Sequence, residues 1–107
     1  MEVSITKSTA KNKKLTAVFY KDGKKIKTIN FGSSPNKDFT IYSKEGKKIA
    51  EEKKAAYIKR HSVRENFNDP MTAGALSRWI LWNKPTISAS ISDFLKRFKL
   101  KKHKSKK

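Results

Sequence analysis

A chain of 107 residues with 27 Lys and Arg against 9 Asp and Glu carries a formal charge of +18. That length predicts one domain, and an apolar fraction of 36%, below the roughly 45–50% usual for globular proteins, predicts a small core. The absence of cysteine excludes disulfides and thiolate metal sites, and no apolar run approaches the ~20 residues of a membrane span.

Six Phe, three Tyr and two Trp are too many aromatics for a wholly disordered chain. The start, Met1-Glu2-Val3-Ser4-Ile5, lacks the apolar stretch of a signal peptide, so a soluble, non-secreted protein is expected.

In chain order, Val3 and Ile5 alternate with polar neighbours as in a short strand. Leu15–Lys21 and Lys25–Phe31 flank Asp22-Gly23, the strongest short hairpin signal. A two-residue turn pairs Lys21 with Lys24 and predicts Phe19 facing Ile26, Ala17 facing Thr28 and Leu15 facing Asn30. The opposite face then carries Thr16, Val18, Tyr20, Lys25, Lys27 and Ile29. A three-residue loop with Gly23 as a bulge would shift this register, and the first pairing is preferred because it keeps one face more apolar.

Gly32 to Asn36 reads as a loop, and Phe39, Ile41 and Tyr42 as a short extended segment. Ser43 can cap a charged helix from Lys44 to His61 with a narrow apolar stripe of Ile49, Ala50, Ala56 and Tyr57, where Glu51 and Glu52 pair with nearby lysines. Asp69-Pro70 fits a capping carboxylate and first helical residue for a helix from Met71 to Trp82, stopped by Asn83-Lys84-Pro85. Gly74 within it costs about 1 kcal/mol relative to Ala and points to close approach of another backbone. Ile87, Ile91, Phe94, Leu95 and Phe98 form the apolar stripe of a last helix. Ser90 with Asp93 fits a capping box there, and Thr86 or Ser88 offers an earlier start. Beyond Leu100 the pattern dissolves.

The expected fold class is therefore α+β: one domain over residues 1–98, a small antiparallel sheet packed with about three helices. Residues 99–107 are expected to form a disordered lysine-rich tail. The cations gather at the two ends. Lys96, Arg97, Lys99, Lys101, Lys102, Lys104, Lys106 and Lys107 follow one another without an acid, and Lys7 to Lys27 holds a second group opposed by Asp22 alone. The simpler reading of such a tail is a solvated terminus. Its charge density argues for a polyanion partner instead. With 23 lysines to four arginines, the expected contact is with phosphate, because lysine lacks the planar fork that reads guanine. Tyr20 with Lys25 and Lys27 on one sheet face offers a second contact surface.

Catalysis has little support. His61, Glu65 and Asp69 fall at four-residue intervals and could converge as a base or metal site. The simpler reading makes His61 a helix C-terminal residue and Asp69 a cap. No phosphate loop, dinucleotide fingerprint or zinc spacing is present, so no cofactor is expected. Trp79, among Leu76, Ile80 and Leu81, reads as core, and Trp82 as the better surface aromatic.

Three blocks recur together: Tyr57 to His61, Asn68 to Pro85 with its Gly-Ala-Leu-Ser-Arg-Trp-Ile-Leu-Trp stretch, and Ser90 to Phe94 with Arg97-Phe98. With Phe31-Gly32 and Asp38-Phe39-Thr40 upstream, they resemble a family of small basic proteins, without an assigned activity, encoded by large DNA viruses of algae and protists. The similarity covers most of residues 15–98. Ser33-Ser34-Pro35-Asn36 stands where that family has a glycine-rich segment, and the lysine tail is longer. The resemblance implies viral origin and a recurring small fold, not a reaction, and no catalytic residue carries over.

Charge and resemblance together lead to a non-enzymatic viral protein that binds nucleic acid, DNA in the first instance, through lysine–phosphate contacts without sequence readout, within the virion or the infected-cell interior. The alternative is a minor capsid or scaffold protein docking on acidic coat proteins or an anionic membrane. An enzyme built on His61, Glu65 and Asp69 is the remote third reading.

Overall fold

In the computed structural model, which describes residues 1–34 and 36–103, the chain opens with strands β1 (Glu2–Lys7), β2 (Lys13–Lys21) and β3 (Lys24–Ser33). Lys21 pairs with Lys24 across a turn in which Asp22 and Gly23 take φ of 52° and 79°, the left-handed pair that Asp-Gly tolerates. The predicted register then fails one step in. Tyr20 lies opposite Lys25 but Phe19 lies opposite Lys27, so Ile26 is left over as a bulge. Ala17 consequently faces Ile29 and Leu15 faces Phe31, in place of Thr28 and Asn30.

Burial explains the slip. Because side chains alternate, one extra residue turns Ile29 and Phe31 onto the covered face and sends Thr28 and Asn30 outward. Phe31 becomes fully buried, while Ile26 is left 44% exposed. Thr16 Oγ1 then donates to the Asn30 side chain at 2.6 Å on the outer face.

Two helices follow. The segment expected to be extended is helix α1 (Phe39–Glu45), and it continues after Gly46 into α2 (Lys47–His61). Asp38 starts α1. Its carboxylate accepts from the backbone N–H groups of Thr40 and Ile41, while Lys14 Nζ lies 2.6 Å away on β2. A buried carboxylate with these partners is satisfied, and it ties α1 to the sheet. Ser43 lies inside α1 and caps nothing. The stripe of α2 reduces to buried Ala50 and Tyr57, since Ile49 is 41% exposed. Among the described residues Glu51 and Glu52 form no ion pair with the lysines beside them.

The third helical segment begins later than Asp69-Pro70 predicts. Asp69 accepts from Met71 N in a turn, and Thr72 caps α3 (Ala73–Leu76) by accepting from Ala75 N. A π-helical stretch, Ser77–Leu81, continues it, closed by a hydrogen bond from Trp82 N to Ser77 O at 3.0 Å. Wider turns rotate successive side chains less far, which separates Trp79 from Trp82. Gly74 does meet a close neighbour, but it is a side chain: a Cβ there would lie 2.6–2.9 Å from the Glu65 carboxylate. Helix α4 (Ile87–Arg97) is capped by Thr86, not by Ser90. Ser90 is fully buried and accepts from Lys84 N, which fastens the preceding loop.

Val3, Ala17, Phe19 and Phe31 of the sheet close on Leu76, Ile80, Leu81 and Phe94 in one core. The predicted stripe of Ile87, Ile91, Leu95 and Phe98 packs around it. Each large side chain so buried contributes about 1.5–3 kcal/mol.

The tail expected from residue 99 is in part structured. Leu100 N–H bonds to Leu95 O and Lys99 N–H to Lys96 O, a Schellman turn with Lys99 at φ 55° where glycine is usual. The chain thereby returns to the sheet as β4 (Lys101–Lys102), parallel to β1, in the order β3-β2-β1-β4. The fold is α+β as expected, with a mixed sheet and four helices. Residues 104–107 lie outside the described residues. Replacing Lys99 with Gly should relieve the left-handed conformation and raise the unfolding free energy in urea by roughly 0.5–1 kcal/mol, whereas a decrease would deny the turn.

Candidate functional site

Helices cover one face of the sheet, and the rows across it decide where the predicted contact residues point. Lys25, Tyr20, Glu2 and Lys101 form one row on the outer face. Lys27, Phe19, Val3 and Lys102 form the next, on the helix-covered side. Lys27 therefore does not share a face with Tyr20 and Lys25, because the bulge at Ile26 sits between them. Both rows end in an exposed lysine at each edge. With strands about 4.8 Å apart, the lysines of one row stand about 14 Å from each other.

Tyr20 is itself covered. The His103 ring stacks on it at 3.6 Å between centroids, and His103 Nδ1 lies 2.8 Å from Glu2 Oε1. This stack, with the backbone bond from His103 N to Val3 O, fastens the end of β4 to the sheet. Lys96 and Lys99 are exposed, and Lys104, Lys106 and Lys107 lie outside the described residues.

Arg97 is not a free cation. It pairs with Asp93 at 3.3 Å and places its guanidinium 3.8 Å from the Trp79 ring centroid. Arg78 covers the same ring at 4.1 Å and donates to Trp82 O at 2.8 Å. Trp79, with its Nε1–H donated to Phe67 O, is half-buried against two arginines and is not a deep core residue. Burial would by itself raise the Asp93 pKa, but the Asn83 amide and the Arg97 guanidinium outweigh it and hold the carboxyl below its ordinary range. This network joins the π-helical stretch to α4. Lys54 is structural as well: its Nζ donates to Asn83 O, and burial lowers its pKa.

A cleft of about 600 Å³ opens between the end of β3, the later part of α2 from Lys53 to His61 and the start of α3. Its cations are Lys13, Lys37, Lys53 and Arg60, and its rings are Tyr42, Tyr57 and Trp82. Tyr57 is flanked by Trp82 at 4.4 Å and His61 at 4.2 Å, both nearly parallel to it. Trp82, expected at the surface, is thus half-buried in this column and lines the cleft. Lys37 and Lys53 each stand 5.7 Å from the Tyr42 ring centroid. His61 Nδ1 lies 3.3 Å from Glu65 Oε2, and both residues line the cleft. Asp69 is engaged with Met71 N, and among the described residues no three His, Cys, Asp or Glu side chains gather as metal ligands. Of the three residues spaced for a catalytic site, the fold pairs two.

Sequence reasoning misses this cleft. Lys53, Tyr57 and Arg60 at i, i+4 and i+7 are its one signal, a helix face on which a ring sits between two cations.

These features define a small α+β protein with an exposed cationic surface and a basic, aromatic-lined cleft. The chain belongs to a family of unknown function (DUF5754), whose sequence pattern matches residues 3–61, from β1 to the end of α2. No curated protein and no solved structure matches it. No helix of the described residues is long and apolar enough to cross a membrane.

Burial, reinforced by the Glu65 carboxylate, pushes the Tyr57 phenol up from 10.0 to about 12. A phenol kept neutral in the folded state stabilises it fully below pH 10 and loses that effect as pH rises through about 12. Unfolding followed in urea should therefore show stability falling across that window, and Tyr57→Phe should make the fall shallower. An unchanged slope would contradict the burial of the phenol.

Proposed function

We propose that this is a non-enzymatic basic protein of a large DNA virus that binds nucleic acid through lysine–phosphate contacts without reading sequence. One observation carries the proposal. Among the described residues, Lys14, Lys37 and Arg97 are the lysines and arginines held in ion pairs, although the chain has 27 such residues. The carboxylates that could neutralise the others are too few, and several are committed to holding the fold. Exposed ammonium groups at the hairpin tip and along both sheet edges are thus left with water and counterions. A polyanion that replaces those counterions gains the entropy of their release.

Lysine predominance favours phosphate over base edges. Two of the four arginines, the side chains best suited to reading guanine, are occupied against Trp79. The viral source rests on the resemblance that covers most of residues 15–98, and a place in the particle or the infected cell follows from it. Docking on acidic coat proteins is the competing reading, and no contact in the fold favours it.

The test is the salt dependence of affinity for duplexes of unrelated sequence. The logarithm of the binding constant should fall linearly with the logarithm of salt concentration, equally for each sequence. Substituting Lys24, Lys25, Lys101 and Lys102 with Gln should reduce that slope by about 0.9 for every phosphate the variant no longer neutralises. Binding that ignores salt, or one sequence strongly preferred over the rest, would contradict the proposal.

A further inference from the structure

The cleft differs in kind from the lysine-edged sheet. A phosphate-tracking surface needs cations alone, whereas this cavity interleaves cations with rings on elements distant in sequence. Tyr42 comes from α1, Tyr57 from α2 and Trp82 from the end of the π-helical stretch, and all three line it. A volume of about 600 Å³ is that of a site for one small planar ligand. Lys53 and Arg60, seven residues apart on α2, are separated by about 10 Å along the helix, more than one phosphate spans. Lys13 adds positive charge from β2, while Lys37 is balanced by its ion pair with Glu45. The one carboxylate in the lining, Glu65, is paired with His61. A ligand that matches this layout has a flat apolar ring system with anionic groups on either side of it.

We propose that the cleft receives an unpaired base of single-stranded nucleic acid, with the neighbouring phosphates on Lys53 and Arg60. This rests on the nucleic-acid reading above and deepens it by naming the form of strand. Bases in a duplex are stacked on each other and have no free face to offer, and the cleft is cut into a molecule only 26 Å across its shortest axis. A single strand exposes each base, and aromatic platforms between cations hold such bases with little regard for their identity. Tyr57 is already stacked between Trp82 and His61 in the free protein and serves as wall, so the ring left to meet a base is the half-buried Tyr42, bordered by two lysines.

The experiment measures binding of the full chain to labelled thymine and uracil homopolymer strands and to a mixed-sequence duplex of equal phosphate number, at one ionic strength. Lys53 and Arg60 are exposed, so the double variant Lys53→Gln, Arg60→Gln should fold as the parent does. Single strands should bind at least roughly tenfold tighter than duplex, the free energy of one or two stacked bases. The double variant should remove most of that preference while leaving duplex binding nearly unchanged. Lys24→Gln, Lys25→Gln, remote from the cleft, should weaken all ligands alike. Equal binding of single strands and duplex, or equal weakening of both in the cleft variant, would overturn the inference and leave the phosphate-binding reading standing. No binding to any of them would overturn both.

Discussion

With 27 cations against 9 carboxylates, every approach of two segments brings ammonium groups together, and a few large apolar side chains must overcome that repulsion. The fold meets this constraint by position. Phe19, Phe31 and Phe94 are buried between sheet and helices, while nearly every lysine is placed at an edge, a turn or an outer helix face. Three of the carboxylates are placed where elements join: Asp38 at the start of α1 against Lys14, Asp93 between Asn83 and Arg97, Glu2 against His103. This use of the acids explains the surface. Acids needed for structure do not neutralise the periphery, so the excess positive charge that the composition fixes stays at the surface.

Arginine and lysine divide the work accordingly. Arg78 and Arg97 both lie against the Trp79 ring, where a planar, weakly hydrated cation can be partly buried. Lysines, with compact and strongly hydrated heads, stay in water and are free to meet phosphate. The π-helical stretch makes this arrangement possible. By separating Trp79 from Trp82 it gives one ring to the arginine pair and the other to the Tyr57 column beside the cleft. A structural irregularity thus supplies both a lock and a binding wall.

Much of the architecture is legible in the sequence because local chemistry and burial agree. Asp22-Gly23 places the hairpin turn, and the spacing of Ile87, Ile91, Phe94 and Leu95 places α4 and its buried face. Where the sequence misleads, two demands compete. The turn alone implies one hairpin register, but burying Phe31 requires a bulge at Ile26, and Lys27 changes faces with it. Helix α1 is too short for a periodic pattern to emerge, and Asp38 is its one signal. The return of the chain as β4 depends on Lys99 in a conformation normally marked by glycine, so nothing announces it. The cleft is hidden for a different reason: Lys13, Lys37, Tyr42 and Trp82 each come from a different segment, and of the cations and rings named for it only Lys53, Tyr57 and Arg60 share an element.

The most direct measurement is the thermal unfolding midpoint of the full chain as a function of salt, with and without nucleic acid. If unpaired cations strain the fold and a polyanion relieves them, salt alone should raise the midpoint. Nucleic acid should raise it further at low ionic strength, and that added increment should shrink as salt is increased. A midpoint indifferent to both, or lowered by nucleic acid, would contradict the account.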